Sequence, residues 1–455
     1  MSKALFDHFD AVSTKQWKQK IQFDLKGADY NETLIWQSPD GIAVKPFYNS
    51  DDLQGTPSIP NSAGPWHIGQ RFFVDSVPVA RKLAASALER GAQALVFDYQ
   101  KSFDPHELLQ GLPLEGVSVH FGNGIAKLDF LKELTVPTVT GSQHRLYFDP
   151  LARLASYGNW WKDKASDLAM WKQLVSSTQA WGMDLQHYAN AGANRVQELA
   201  YALSQLNEYL ELLGDSETSG LPFIQIDLQL AIGSNYFFEI AKLRAYRVLF
   251  DLLCRDRGYE VDVRILAQPG SRNKTLFDYN VNMLRTTTEC MSAVLGGADV
   301  VCNQAYDAIY HKDNEFGSRI ARNQLLVLKH ESYFDWVENP ADGSYYIESL
   351  TAQLTEKALN LFKEIETKGG YLQNLKKGTL QRKIKESANK EQELFDEGSL
   401  PLIGTNIFQN PDDRMKAELE LYPFVKTDVR KTIVRPIIAK RLAEQLEKQR
   451  LDEEN

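Results

Sequence analysis

Residues 261 to 303 constrain this chain more than any other stretch. Val261-Asp262-Val263-Arg264-Ile265-Leu266-Ala267 reads as a strand. Gln268-Pro269-Gly270-Ser271-Arg272-Asn273-Lys274 follows with loop chemistry. A helix is predicted from about Asp278 to Leu295, because Val281, Leu284, Met291 and Leu295 share a stripe and Asp278 suits an N-cap. Gly296-Gly297 stops it, and Ala298 to Asn303 reads as a second buried strand. Strand, loop, helix and strand make a βαβ unit, which requires parallel strands and a right-handed crossover. In such folds ligands bind at the end of the sheet where the loop carrying Gln268, Ser271, Arg272 and Asn273 lies.

The same alternation extends outwards. Further strands are predicted at Ala94–Asp98, Val117–Phe121, Arg145–Phe148, Gly182–Gln186, Phe223–Leu230 and Phe334–Glu338, with helices between most of them. The total of eight strands is the arithmetic of a (β/α)₈ TIM barrel. Residues 1 to about 35 read as helical, with Trp17, Ile21 and Leu25 in register. Pro39, Pro46, Pro57, Pro60 and Pro65 then make an extended arm that must lie on its own barrel or on a partner. Near the C-terminus Ile438, Leu442 and Leu446 suggest an amphipathic helix. The expected organisation is an N-terminal helix and arm (1–65), a barrel (66–408) and a short C-terminal helical tail (409–455).

Bulk properties narrow the function. Apolar residues make up 43% of the 455, enough for a substantial core. A net charge of −9 gives no electrostatic reason to expect nucleic acid or an anionic membrane. Cys254, Cys290 and Cys302 have no metal-like spacing, and no metal is expected. With no signal-like N-terminus and no long apolar run, a soluble cytoplasmic protein is expected.

Several stretches, in order, resemble the adenosylcobalamin-dependent acyl-CoA mutases, specifically the methylmalonyl-CoA mutase family. They include Pro65-Trp66, Ala191-Gly192-Ala193 with Gln197-Glu198-Leu199-Ala200, and Phe238-Glu239-Ile240-Ala241-Lys242-Leu243-Arg244. Asn280-Val281-Asn282-Met283-Leu284-Arg285-Thr286-Thr287-Thr288-Glu289, Ser318-Arg319-Ile320-Ala321-Arg322-Asn323 and Asn339-Pro340-Ala341-Asp342-Gly343-Ser344-Tyr345-Tyr346 continue the series. The resemblance implies a substrate barrel joined to a cobalamin domain with an Asp-x-His-x-x-Gly motif. The nearest string here is Asp104-Pro105-His106-Glu107-Leu108-Leu109, inside the barrel region. About fifty residues after the barrel are too few for a flavodoxin-like domain, so no cobalamin binding by this chain alone is expected.

The site positions depart from the family's pattern too. Arg71 stands where the resemblance implies a Tyr over the substrate, and Leu266 where it implies a His. His187 is retained, and no Arg for the substrate carboxylate can be placed near 145–165. This combination resembles the small, non-catalytic subunit of heterodimeric methylmalonyl-CoA mutase. The resemblance then implies a large catalytic subunit as partner, which binds adenosylcobalamin, with a homodimer possible in isolation. The alternatives are a substrate barrel working with a separate cobalamin-binding chain, or a homodimeric CoA-thioester-binding module. No catalytic residue is expected; His187, as a general acid near a thioester carbonyl, is the one retained candidate, against a plain core-edge histidine. Arg71 could bind phosphate or block a vestigial pocket, and reads first as a structural ion pair. Gln268, Arg272 and Asn273 could form a ligand loop or simply satisfy backbone groups. Arg319 and Arg322 could touch an acyl-CoA, and read first as structural.

Overall fold

The computed structural model describes residues 12–53, 59–60, 64–122, 124–139, 141–214, 223–426 and 429–454. Eight strands make one sheet: β1 His67–Phe73, β2 Ala94–Asp98, β3 Ser118–Phe121, β4 Gln143–Leu146, β5 Ala180–Asp184, β6 Phe223–Ile232, β7 Glu260–Pro269 and β8 Val300–Cys302. Every pairing is parallel, in the order β4-β3-β2-β1-β8-β7-β6-β5, so β1 against β8 joins the two halves. Helices cover the outside, and the result is a nearly closed (β/α)₈ barrel.

The βαβ unit lies where the sequence places it, with β7, the helix Val281–Leu295 and β8, and β7 pairs directly with β8. Gly297 takes a left-handed φ of +83°, which a glycine allows without strain. Asp278 is not the N-cap: it adopts a left-handed φ of +47°, and the helix starts after Asn280. Two strand expectations also change. Residues 334–338 form turns, not a strand, and Trp336 is 77% exposed; an aromatic-rich run imitated a strand without being buried. The missing eighth strand is β1, which Gly69 and Arg71 disguise. Gly69 is required there, because a Cβ would stand 2.9 Å from Val300 Cγ1.

The ends of the chain differ in part from expectation. The helix Thr14–Asp24 is capped by Ser13 and buries none of its residues, and residues 1–11 lie outside the described residues, as do 54–58 and 61–63 of the arm. The arm lies on its own barrel where it is described. Ile42 is fully buried, Tyr48 packs on Tyr346, and Asp40 pairs with Arg195 at 3.0 Å at the start of the helix Arg195–Gly214. Among the described residues of the C-terminal segment, only Glu444–Glu453 is helical, so Ile438 and Leu442 precede the helix instead of sharing its stripe.

The barrel closes by other means between β4 and β5, where no backbone ladder forms. Gly182 lets β5 press on β4: a Cβ there would lie 2.5 Å from Tyr147 Cδ1 and 2.8 Å from the Leu146 carbonyl oxygen. Just beyond β4, the fully buried Asp149 carboxylate accepts four hydrogen bonds. They come from Ala152 N, starting the helix Pro150–Tyr157, from Asp184 N on β5, and from Gln205 Nε2 and Tyr209 Oη on the helix Arg195–Gly214. Removing the carboxylate orphans all four buried donors at once. Asp149→Ala is expected to cost about 4 kcal/mol or more, read as a large drop in the thermal midpoint by calorimetry; a midpoint within a degree or two of the unsubstituted chain would show that the clasp is dispensable.

Candidate functional site

Strand alternation decides what faces the bore. Ala94, Val96, Tyr147, Leu266, Val300 and Cys302 pack together as an inner cluster. Tyr147 Oη lies 3.3 Å from His120 Nδ1, and His120 Nε2 lies 3.0 Å from Ser118 Oγ. Burial pushes the His120 pKa down to about 3, so this ring is neutral. The cluster fills the middle of the barrel, as packed side chains do in such folds.

One step towards the C-terminal ends of the strands, the inward positions become polar. Arg71 on β1 donates from Nη1 to both carboxylate oxygens of Asp98 on β2, at 2.8 and 3.1 Å. Burial alone would lower the Arg71 pKa, but the charge and hydrogen bond of Asp98, helped by Cys302 and Asp184, together more than offset it, so the guanidinium stays charged. Its Nε and Nη2 are buried without a hydrogen-bond partner. Asp184 on β5 is near enough to feel Arg71, yet burial raises its pKa to about 6. Gln268 follows Leu266 by two on β7 and so points inwards, with its Oε1 buried and unpartnered. His187, on the short helix Gln186–Asn190 after β5, has a buried, unpartnered Nε2, and burial lowers its pKa to about 4.

Above this layer lies a cavity of about 760 Å³, bordered by His187, Ser156 and Ser271 below and by residues of the C-terminal segment above. The segment is tied down across the mouth. Ile437 N donates to the Ala155 carbonyl at 2.8 Å, Lys440 N to the Asn190 carbonyl at 3.0 Å and Leu442 N to the Arg272 carbonyl at 2.9 Å. Arg272 completes the strap: Nη1 donates to the Lys440 carbonyl at 2.8 Å, and Nε pairs with Glu391. Next to it Asn273 donates to Glu289 at 2.7 Å, joining the buried Lys274–Glu289 pair, also 2.7 Å.

The structure therefore brings Arg71, Gln268 and His187 to the mouth, and engages Arg272 and Asn273 in holding the strap and the β7 loop. Arg322 reaches Gln70 at 2.6 Å, and Arg319 packs over Phe316. The sequence reading omitted Asp98 and Asp184, whose signal was a carboxylate at the end of each strand. It also omitted Tyr147, whose signal was its place two residues after Arg145.

Two implied groups can be tested against these residues. Among the described residues no three His, Cys, Asp or Glu side chains converge as a metal-holding group. The string nearest to a cobalt-ligand motif lies on the outer helix Pro105–Leu109, where the Asp104 carboxylate caps the helix by accepting from His106 N and Glu107 N. No helix among the described residues is long and apolar enough to cross a membrane.

The family model described as methylmalonyl-CoA mutase matches residues 152–452. A protein named methylmalonyl-CoA mutase small subunit, from Porphyromonas gingivalis, is 32% identical over 89% of this chain and 71% of its own length. The chain belongs to the methylmalonyl-CoA mutase family. A small subunit of the same enzyme from Streptomyces virginiae is 28% identical over 89% of this chain and 72% of its own length. The chain spans only 64% of the methylmalonyl-CoA mutase of Rhizobium meliloti, at 26% identity over 87% of this chain.

The Arg272 side chain ties the strap to the helix Thr379–Asp396: it donates to the Lys440 carbonyl on the strap and reaches Glu391 and the Ala388 carbonyl on the helix. Arg272→Ala is expected to speed tryptic cleavage within residues 422–442 by about tenfold, equivalent to about 1.4 kcal/mol of lost local stability, with the barrel intact. Unchanged cleavage would mean that the strap is held elsewhere.

Proposed function

We propose that this chain is the small, non-catalytic subunit of a heterodimeric methylmalonyl-CoA mutase. The holoenzyme interconverts (R)-methylmalonyl-CoA and succinyl-CoA. Adenosylcobalamin and the radical chemistry it supplies belong to the large subunit, and this chain stabilises that partner in the cytoplasm. The observation that carries the reading is the state of the barrel mouth. Reaction sites of such barrels are built there, and a radical enzyme must grip its substrate and exclude water. Here Arg71 is spent on Asp98, Leu266 fills the bore, and the strap covers the opening. Similarity to two small subunits supports the same reading. His187, Arg71 and Gln268 are then remnants of a substrate site, and Arg272 and Asn273 serve the strap.

The test assays methylmalonyl-CoA with adenosylcobalamin, using this chain alone and mixed with a candidate large subunit, with size exclusion on the same samples. The expected result is no turnover alone, a one-to-one complex, and activity on mixing. Turnover by the isolated chain would overturn the reading, as would activity restored by a small cobalamin protein in place of a large subunit.

A further inference from the structure

The gap that Asp149 bridges also opens a groove. It runs between β4 and β5, flanked by the helices Leu128–Thr135 and Lys164–Thr178, with a volume of about 670 Å³, within the range of small-molecule sites. Its walls are mainly apolar, with Val136, Pro137, Phe148 and Val175 beside Trp171 and Trp181. Both tryptophans are more than nine-tenths buried, and neither indole Nε1–H has an acceptor. Both tryptophans line the groove as apolar ring surface. His144 Nδ1 lies 3.0 Å from the Leu134 carbonyl and takes the donor role there, which leaves its buried Nε2 unpartnered as well.

At its inner end the groove meets Arg145 and Asp227, which also line a chamber of about 200 Å³ at the N-terminal end of the bore. The missing ladder therefore makes a side approach to a partly buried arginine. Arg145 gives Nη2 to Gln143 Oε1 at 2.6 Å, but its Nε stands 3.7 Å from Asp227, beyond hydrogen-bond length. Burial pushes the Asp227 carboxyl up to about 6, which weakens its claim on Arg145 as pH falls towards that value. Gln225 Nε2 also donates to both Asp227 oxygens at 3.1 Å, holding that carboxylate back from the arginine.

We propose that the β4–β5 groove binds a small carboxylic acid with a flat apolar body, its carboxylate on Arg145 and its body against Trp171 and Trp181. A charged fork suits a carboxylate, and aromatic walls suit a flat ring. Seated there, the ligand would bridge the two strands that the sheet leaves unpaired. The site does not depend on the mutase role.

The probe is naphthalene-2-carboxylate, titrated into the full chain by calorimetry and followed by thermal shift, with naphthalene-2-carboxamide as the uncharged isostere. The expected result is submillimolar binding of the acid that raises the midpoint. Binding should weaken at least about tenfold for the amide and for Arg145→Gln. Ser177→Trp, which adds bulk at the exposed rim, should weaken it also. No binding to the unsubstituted chain at about 10 mM would overturn the proposal, as would equal binding of acid and amide. The amide comparison uses the unsubstituted chain, so it decides the matter even if Arg145→Gln fails to fold.

Discussion

Where β4 meets β5 the sheet has no ladder, and the Asp149 carboxylate takes its place. A barrel owes its stability to having no free edge. Here two edges face each other, and one buried acceptor ties them to each other and to the helix Arg195–Gly214. The clasp works because Gly182 allows β5 to approach and because Ala152 N, Asp184 N, Gln205 Nε2 and Tyr209 Oη all donate to Asp149. Without it, the seam would keep only its side-chain packing and the Arg145–Asp227 pair.

The bore is filled, paired and strapped from the middle of the barrel to its mouth. A layer of Tyr147, Leu266, Val96 and Val300 fills the bore, the Arg71–Asp98 pair neutralises itself above it, and the strap closes the mouth. Between the bore and the strap, Arg71 Nε and Nη2, Gln268 Oε1 and His187 Nε2 are left buried without partners. What remains open is peripheral: the space below the strap at His187 and the groove along the seam.

Much of the barrel was legible in the sequence. The βαβ unit around β7 and β8 has an apolar run and a glycine stop that survive in the structure, but the stripe of Val281, Leu284, Met291 and Leu295 does not: Leu284 is 68% exposed, and the helix buries Thr286, Glu289, Cys290, Ala293 and Val294 instead. β1 was hidden because an inward strand position beside the bore can be Gly or Arg, which breaks the apolar run that marks a buried strand. The 334–338 run deceived for the opposite reason, being apolar and exposed. At the site, residue types suggested Arg272 and Asn273 as ligand groups. Their actual partners lie more than a hundred residues away for Arg272 and on a neighbouring helix for Asn273, and such pairings are invisible to local pattern. The Asp149 clasp was hidden for the same reason, since its donors come from 3 to 60 residues on.

The most direct test of the central claim, a barrel whose mouth no longer takes the family's substrate, is hydrogen–deuterium exchange of the isolated chain with and without methylmalonyl-CoA. The account predicts unchanged exchange in β1, in residues 184–190 and in the β7 loop. Protection of those segments by the thioester would contradict it, and would make Arg71, Gln268 and His187 parts of a working site.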